Sequence, residues 1–193
     1  MSKDHLLVAE CISKSYGSFV AMQGVDLHLS EGEFVSVVGP NGAGKTTLVN
    51  VLTGLHAPTE GRVRFMGRDI SGHSSVDLST RGLARAFQLV SVFPDMTVRE
   101  TLTVAACSRL GLRWKLFADA SRNLGVQEVV SAIAAAFRLT NSLDNRANSL
   151  PHGKRKLLDV ASAFALHPKV ILLDEPTAGV STADKHGVME TLL

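Results

Sequence analysis

Residues 39–47 constrain the fold of this chain more than any other stretch. They read Gly-Pro-Asn-Gly-Ala-Gly-Lys-Thr-Thr and fit the pattern G-x-x-x-x-G-K-[ST], with Gly39, Gly44 and Lys45 at fixed positions. Residues 34–38 before it are mostly β-branched and apolar, which predicts a strand buried in a parallel sheet, and apolar residues at helical spacing follow it. A strand, a glycine-rich loop and a helix in this order direct backbone N–H groups and the positive helix end toward one point. The sequence therefore predicts a nucleoside triphosphate site.

Each residue type in this loop has a physical reason to be there. Glycine lets the backbone approach a phosphate closely, the Lys45 ammonium can reach the β- and γ-phosphates, and the Thr46 hydroxyl can bind Mg²⁺. A random chain of this length would match the pattern on the order of 1% of the time, and the flanking strand and helix lower that figure. The predicted nucleotide-binding residues are Gly39, Pro40, Asn41, Gly42, Ala43, Gly44, Lys45, Thr46 and Thr47.

Composition narrows the class of protein. The chain has 193 residues, 45% of them hydrophobic, and 20 basic against 18 acidic side chains, so it is globular and shows no sign of nucleic-acid binding. Cys11 and Cys107 are isolated, which indicates a reducing compartment and two buried thiols. The N-terminal apolar run is too short and too acidic for a signal peptide, and no stretch is long enough to span a membrane. We expect a cytoplasmic protein whose membrane association requires a partner.

Hydrophobic patterning indicates an α/β fold with an N-terminal antiparallel β subdomain. Residues 5–13 and 19–29 alternate like the two strands of a hairpin. Between residues 97 and 143 strand formers become scarce and helical periodicity dominates, with Val126, Val130, Ile133 and Phe137 on one face. We therefore expect a P-loop core with a mainly parallel sheet, formed by residues 1–90 and 151–193, and an inserted helical subdomain formed by residues 91–150.

Two adjacent carboxylates follow a second apolar strand, predicted at residues 169–173. This position is the carboxyl end of a strand, where α/β proteins bind ligands. In P-loop NTPases the first acid holds Mg²⁺, and a neighbouring carboxylate can orient and deprotonate the attacking water. We expect Asp174 to hold the metal and Glu175 to act as the general base. A loop that carries two solvated acids is the alternative.

Several motifs together resemble those of ABC-type ATPases: residues 39–47, Gln88, Leu150–Lys154 and Leu173–Thr177. The resemblance covers essentially the whole chain. It implies that Tyr16 stacks on adenine, because the family has an aromatic residue upstream of the phosphate loop. It also implies that Gln88 touches Mg²⁺, takes part in catalysis and joins the core to the helical subdomain. A half-buried edge tyrosine and an ordinary turn glutamine are the alternatives.

The resemblance is incomplete at Leu150–Lys154, where the family usually has Leu-Ser-Gly-Gly-Gln. In the family this loop covers the nucleotide held by a second protomer, so Gly153 is expected to contact ATP across a dimer. Pro151 removes a hydroxyl and an N–H donor, and His152 adds bulk where the family has glycine. Lys154 is expected to place a cation near the γ-phosphate. These residues could instead be merely the start of a helix.

Other residues are similar to the ATP-binding subunits of branched-chain amino-acid importers: Phe87–Gln88, Phe93, Met96–Glu100 and Glu175–Ser181. That likeness implies a subunit on the inner face of the cell membrane that pairs with its own copy or a paralogue. ATP-driven closure of the pair would be passed to permease subunits. A soluble or lipopolysaccharide-export type of ABC ATPase is the alternative, as is a truncated nucleotide-binding fragment with little hydrolysis.

The C-terminal end departs further from the family. The family places a switch histidine on a loop after another core strand, whereas only 18 residues follow Glu175. His186 comes too early for that role. We expect a C-terminally truncated family member, with a gap in its sheet where the strand is missing.

Overall fold

A computed structural model describes residues 5–86, 93–112 and 122–173. It divides into two compact units, Met1–Arg85 and Ala86–Leu193. Three predicted site residues, Gln88, Asp174 and Glu175, lie outside the described residues. Their roles therefore stay predictions.

A four-stranded antiparallel sheet dominates the first unit. Its strands are β1 (His5–Tyr16), β2 (Phe19–Ser30), β3 (Glu60–Phe65) and β4 (Arg68–Asp69), in the order β2-β1-β3-β4. A turn at Gly17 and Ser18 joins β1 to β2, which confirms the predicted hairpin. Alternating apolar residues of these strands, such as Leu7, Ala9 and Val63, are buried and form one wall of the core.

Two helices and a short strand complete the first unit. They are α1 (Lys45–Leu52), α2 (Ser75–Thr80) and β5 (Leu83–Ala86), of which all but the last residue belongs to this unit. Helix α1 buries Leu48, Val51 and Leu52, which lie on one face because the helical period brings i, i+3 and i+4 together. The predicted helix after the glycine-rich loop is thereby confirmed.

The predicted buried strand at residues 34–38 is wrong in this structure. Residues 33–40 adopt no regular secondary structure, and Phe34, Val35, Val37 and Val38 are exposed, with Val38 at 88%. An apolar run becomes a strand only when neighbouring strands accept and donate its backbone hydrogen bonds. Within the described part of the chain, no strand is paired with these residues.

The described part of the second unit contains three α-helices and a strand. They are α3 (Val98–Arg109), α4 (Leu124–Ala136), α5 (His152–Ala165) and β6 (Val170–Leu173), with short 3₁₀ turns at Thr140–Ser142 and Ala147–Ser149. The predicted face of α4 is confirmed, since Val126, Val130 and Phe137 are buried and Ile133 packs against them partly buried. Phe137 packs against Phe164 of α5, with ring centroids 5.3 Å apart. These contacts form one apolar cluster between the helices.

The two cysteines differ in exposure. Cys107 on α3 is buried as predicted, and burial raises the pKa of its thiol. Cys11 is exposed, which corrects the prediction of two buried thiols. It lies at an irregularity of β1, where the residue pairing with β2 shifts between Ala9 and Ile12 and Cys11 has φ of 47°. The shift turns its side chain away from the core.

Candidate functional site

The glycine-rich loop folds back over the start of α1. Gly42 and Gly44 both have φ of 83°, a conformation that residues with a β-carbon rarely adopt. The Ala43 N–H donates to the Pro40 carbonyl at 3.2 Å, which closes a turn ahead of the helix. Gly44 is the N-cap residue of α1, and the Leu48 N–H donates to its carbonyl at 2.8 Å. The two glycines therefore set the path of the chain into the helix.

Gly44 also packs directly against strand β2. A β-carbon at this position would lie 2.7 Å from the Ala21 carbonyl oxygen and 3.3 Å from Met22 Cβ. A 2.7 Å approach to a backbone atom leaves no room for a side chain. The hairpin thus fixes the position of the loop, and only glycine fits between them.

The Lys45 ammonium lies against the start of the loop. Its Nζ donates to the Gly39 carbonyl at 2.7 Å and to the Pro40 carbonyl at 2.8 Å. An ammonium has three N–H donors, so one is left for another acceptor. The structure places the Lys45 charge beside the loop backbone, and its predicted contact with the β- and γ-phosphates stays a prediction.

The first turn of α1 presents donors to the same region. The N–H groups of Lys45, Thr46 and Thr47 have no acceptor within the helix, because the first turn of any helix lacks preceding carbonyls. Gly44 has no side chain with which to cap them, and no acidic residue lies in the first turn. These N–H groups and the positive end of the helix favour an anion.

The residues present fit a magnesium ion that is bound mainly through phosphates. The Thr46 hydroxyl is on the exposed first turn of α1 and offers one oxygen ligand. Among the described residues, no three His, Cys, Asp or Glu side chains are grouped so that they could hold a metal. Mg²⁺ in nucleotide sites usually takes one or two protein oxygens and completes its shell with phosphates and water.

Tyr16 ends strand β1 in the same unit as the loop. The residue is 44% exposed, and its ring lies nearly perpendicular to the His56 ring, with centroids 5.8 Å apart and planes at 84°. The Lys14 ammonium lies over the Tyr16 ring, 5.2 Å from the centroid. Sequence reasoning singled out Tyr16 but missed Lys14 and His56. Both residues lie outside the glycine-rich loop pattern, so the sequence carried no motif that would have identified them.

The predicted signature loop begins helix α5 in the second unit. Pro151 is the N-cap residue, with an extended conformation and no capping side chain, and Gly153 lies in the first turn. Leu150 is buried, while Gly153 is partly exposed. The Lys154 ammonium donates to the Ser142 hydroxyl at 3.1 Å within the same unit. The helix start is therefore confirmed, and the contact of Gly153 with a nucleotide stays a prediction.

Residues 22–178 of the chain match a family profile described as ABC transporter. This match covers more than half of the sequence. The chain belongs to the ABC transporter family. In the part of the chain that the structure describes, none of the helices of this family member could cross a membrane, being too short or too polar.

Three curated relatives of this ABC family member are transport ATP-binding proteins. BraF of Pseudomonas aeruginosa, for high-affinity branched-chain amino acid transport, is 33% identical over 181 residues, which are 91% of this chain and 71% of BraF. LivG of Methanocaldococcus jannaschii, a probable branched-chain amino acid transport protein, is 32% identical over 193 residues, 97% of this chain and 74% of LivG. CysA of Pseudomonas syringae, for sulfate/thiosulfate import, is 34% identical over 165 residues, 86% of this chain and 48% of CysA.

Solved structures agree with the family assignment. An ATP-binding cassette of an ABC transporter has a TM-score of 0.84 and 32% identity, and the alignment covers 97% of this chain and 76% of the cassette. The ADP conformation of such a cassette has a TM-score of 0.80 and 31% identity, covering 98% of this chain and 76% of the other. The predicted fold class, an ABC-type P-loop NTPase, is confirmed. The chain is shorter than these relatives.

Proposed function

We propose that this chain binds Mg²⁺-ATP at residues 39–47 and hydrolyses it as the ATP-binding subunit of an importer for branched-chain or other hydrophobic amino acids. The observation that carries the proposal is the combined geometry of the adjacent residues Gly44 and Lys45. Gly44 holds the loop against β2 in a conformation that only glycine adopts there, and Lys45 places an ammonium beside the loop carbonyls. Family membership and the names of BraF and LivG support the choice of ATP and of cargo.

The triphosphate would be bound by the loop backbone and the first turn of α1. The N–H groups of Lys45, Thr46 and Thr47 would donate to phosphate oxygens, with the helix dipole adding to the attraction. The Lys45 ammonium would turn from the Gly39 and Pro40 carbonyls, or keep one of them, and donate to the β- and γ-phosphates. These positive charges would stabilise the negative charge on the phosphates while the γ-phosphoryl group is transferred to water.

Thr46, Asp174 and Gln88 would hold a Mg²⁺ ion. When bound, the ion would supply positive charge that stabilises the phosphates. Glu175 would orient and deprotonate the attacking water. Tyr16 would stack on adenine, and Gly153 of a second protomer would complete the site across a dimer of two copies or of two paralogues.

Coupling to transport would follow from that dimer. Closure on two ATP molecules would be passed to permease subunits through the helical subdomain, residues 91–150, and hydrolysis would reset the pair. The core would consist of residues 1–90 and 151–193. The subunit would lie in the cytoplasm, on the inner face of the membrane. These statements rest on the family resemblance and on the names of the relatives.

Calorimetric titration with Mg²⁺-ATP tests the binding step. Lys45→Ala should weaken binding by about 10- to 100-fold, since a charge-assisted hydrogen bond contributes about 1.5–3 kcal/mol. Lys169→Ala is the matched control, because Lys169 is an exposed lysine of the second unit, just before β6. Equal affinities of wild type and Lys45→Ala would refute the proposed phosphate site.

Turnover and transport need separate assays. Glu175→Gln should abolish ATP hydrolysis and leave Mg²⁺-ATP binding intact, and unchanged hydrolysis would exclude Glu175 as the base. Reconstitution with the permeases that co-purify with the chain should give ATP-dependent leucine, isoleucine or valine uptake. ATP-dependent uptake of sulfate instead would assign the chain to the class of CysA.

A further inference from the structure

Tyr16 is held by side chains that come from two separate parts of the chain. Lys14 lies on the same strand and covers one face of the ring, while His56 meets the ring at 84° from the connection between α1 and β3, residues 53–59. A partly exposed tyrosine at the end of a hairpin would otherwise sample several rotamers. Here two side chains pack against the ring, and Tyr16 is still 44% exposed, which leaves surface for a further planar group.

One end of the α1–β3 connection is bonded to helix α1. The N–H groups of Leu55 and His56 both donate to the Asn50 carbonyl, at 2.9 and 3.2 Å. Asn50 belongs to the last turn of α1, whose first turn carries the proposed phosphate donors. The backbone that carries His56 is therefore fixed to the same helix that begins at the phosphate loop.

The other end of the connection is bonded to strand β1. The Lys14 ammonium donates to the Ala57 carbonyl at 2.7 Å. The Ser15 N–H donates to the Thr59 hydroxyl at 3.0 Å, and the Thr59 N–H donates to the Ser13 carbonyl at 2.8 Å. These three bonds fix the strand just before Tyr16. Lys14 thus contacts the connection and the Tyr16 ring at once.

We propose that His56 and Lys14 are positioning residues that hold the Tyr16 ring ready to stack on the base of the nucleotide. This inference rests on the proposed nucleotide site, and it adds residues that the loop pattern does not contain. The base would stack on the face of Tyr16 opposite Lys14. A ring that is already ordered loses less side-chain entropy on binding, so the two residues raise affinity without touching the nucleotide. The cation on the far face also holds the ring through its π-electrons.

The test compares ATP with inorganic tripolyphosphate, which shares the phosphates of ATP and lacks the base. His56→Ala should weaken Mg²⁺-ATP binding by about 2- to 10-fold, the range expected for ordering one side chain, and leave tripolyphosphate binding unchanged. His56→Phe should restore most of the ATP affinity because it retains a flat ring at that place. His28→Ala is the matched control: His28 is on β2 and packs against the His5 ring, with centroids 5.1 Å apart.

A double-mutant cycle separates positioning from a general structural effect. In the Tyr16→Ala background, His56→Ala should have no further effect on ATP affinity, because His56 acts through the tyrosine ring. Lys14→Met should behave as His56→Ala does, since it retains the aliphatic stem and removes the cation. Thermal unfolding of each variant checks that the chain is folded.

Three results would overturn the inference. These are unchanged ATP affinity in both single variants, an equal loss for ATP and tripolyphosphate, and an undiminished effect of His56→Ala in the Tyr16→Ala background. The proposed function fails by a different result, namely that the wild-type chain binds neither compound, or that Lys45→Ala weakens neither.

Discussion

The glycine at position 44 offers the sharpest test of how the phosphate loop is built. Gly42 and Gly44 share a φ of 83°, so alanine at either position faces the same backbone strain. Their surroundings differ. A β-carbon on Gly42 would meet nothing within 4 Å, whereas one on Gly44 would lie 2.7 Å from the Ala21 carbonyl oxygen. Gly42→Ala is therefore a matched control for Gly44→Ala.

The magnitudes follow from these two terms. Left-handed backbone costs a residue with a β-carbon about 1–2 kcal/mol, which applies to both variants. Overpacking against a backbone atom costs about 1–3 kcal/mol more, and it applies to Gly44→Ala alone. We expect Gly42→Ala to lower the free energy of unfolding by about 1 kcal/mol and Gly44→Ala by about 3 kcal/mol. If the loop of Gly44→Ala moves from β2 to relieve the overlap, the loss appears in ATP affinity instead.

Urea denaturation and Mg²⁺-ATP titration of both variants measure the two ways in which the overlap can be relieved. The sum of the two losses should be about 2 kcal/mol larger for Gly44→Ala than for Gly42→Ala, equivalent to about 30-fold in affinity if the whole difference falls on binding. Losses that agree within about 0.5 kcal/mol would refute the argument, because that difference is within the error of additivity. In that case the contact between loop and hairpin would carry no energy.

Three further predictions concern the capping box of α3 and the thiols. In urea denaturation, Thr97→Ala should lower the free energy of unfolding by about 1 kcal/mol and Thr97→Ser should not. The reason is that the Thr97 hydroxyl accepts a hydrogen bond from the Glu100 N–H at 3.1 Å and so caps the helix. Hydrogen bonds from the Thr97 N–H and hydroxyl lower the pKa of Glu100 below 4.5. The stability that ionised Glu100 contributes is therefore complete above pH 4.5 and is lost as the pH falls through the pKa of Glu100 in the folded state. The difference in the free energy of unfolding between wild type and Glu100→Gln should change over that range and stay constant above about pH 6. In the native state Ellman's reagent should modify Cys11 rapidly and Cys107 only on unfolding, since burial raises the pKa of the second thiol.

Some of this structure could be predicted because its causes are local in sequence. The helix after the loop, the hairpin turn at Gly17 and the end of α5 after Ala165 each depend on a few neighbouring residues. His167 has φ of 54° and its N–H donates to the Phe164 carbonyl, a common way for a helix to end before proline. The start of α3 had such a signal too, since Thr97 and Glu100 have the spacing of a capping box.

That residues 34–38 form no strand in this structure could not be predicted in the same way. Its β-branched, apolar composition indicates what the segment prefers when strands pair on both sides, and composition alone does not supply those strands. In the described structure the segment is exposed and unpaired, although its residue types are those of a buried strand. Strand pairing depends on residues far along the chain. A local apolar pattern therefore predicts a strand only where such partner strands are present.

The surroundings of Tyr16 show why a site residue can be found from sequence while its support is not. Tyr16 pairs with Phe19 across the hairpin, but the register of β1 shifts between Ile12 and Lys14 and again between Lys14 and Ser15. Each shift alters the simple alternation of faces, so counting residues from the buried Ile12 does not tell which side Tyr16 takes. Bonds from residues 53–59 fix those irregularities in place. The orientation of the ring is therefore decided by a segment about 40 residues away in sequence, as in the 43-residue separation of Lys14 and Ala57.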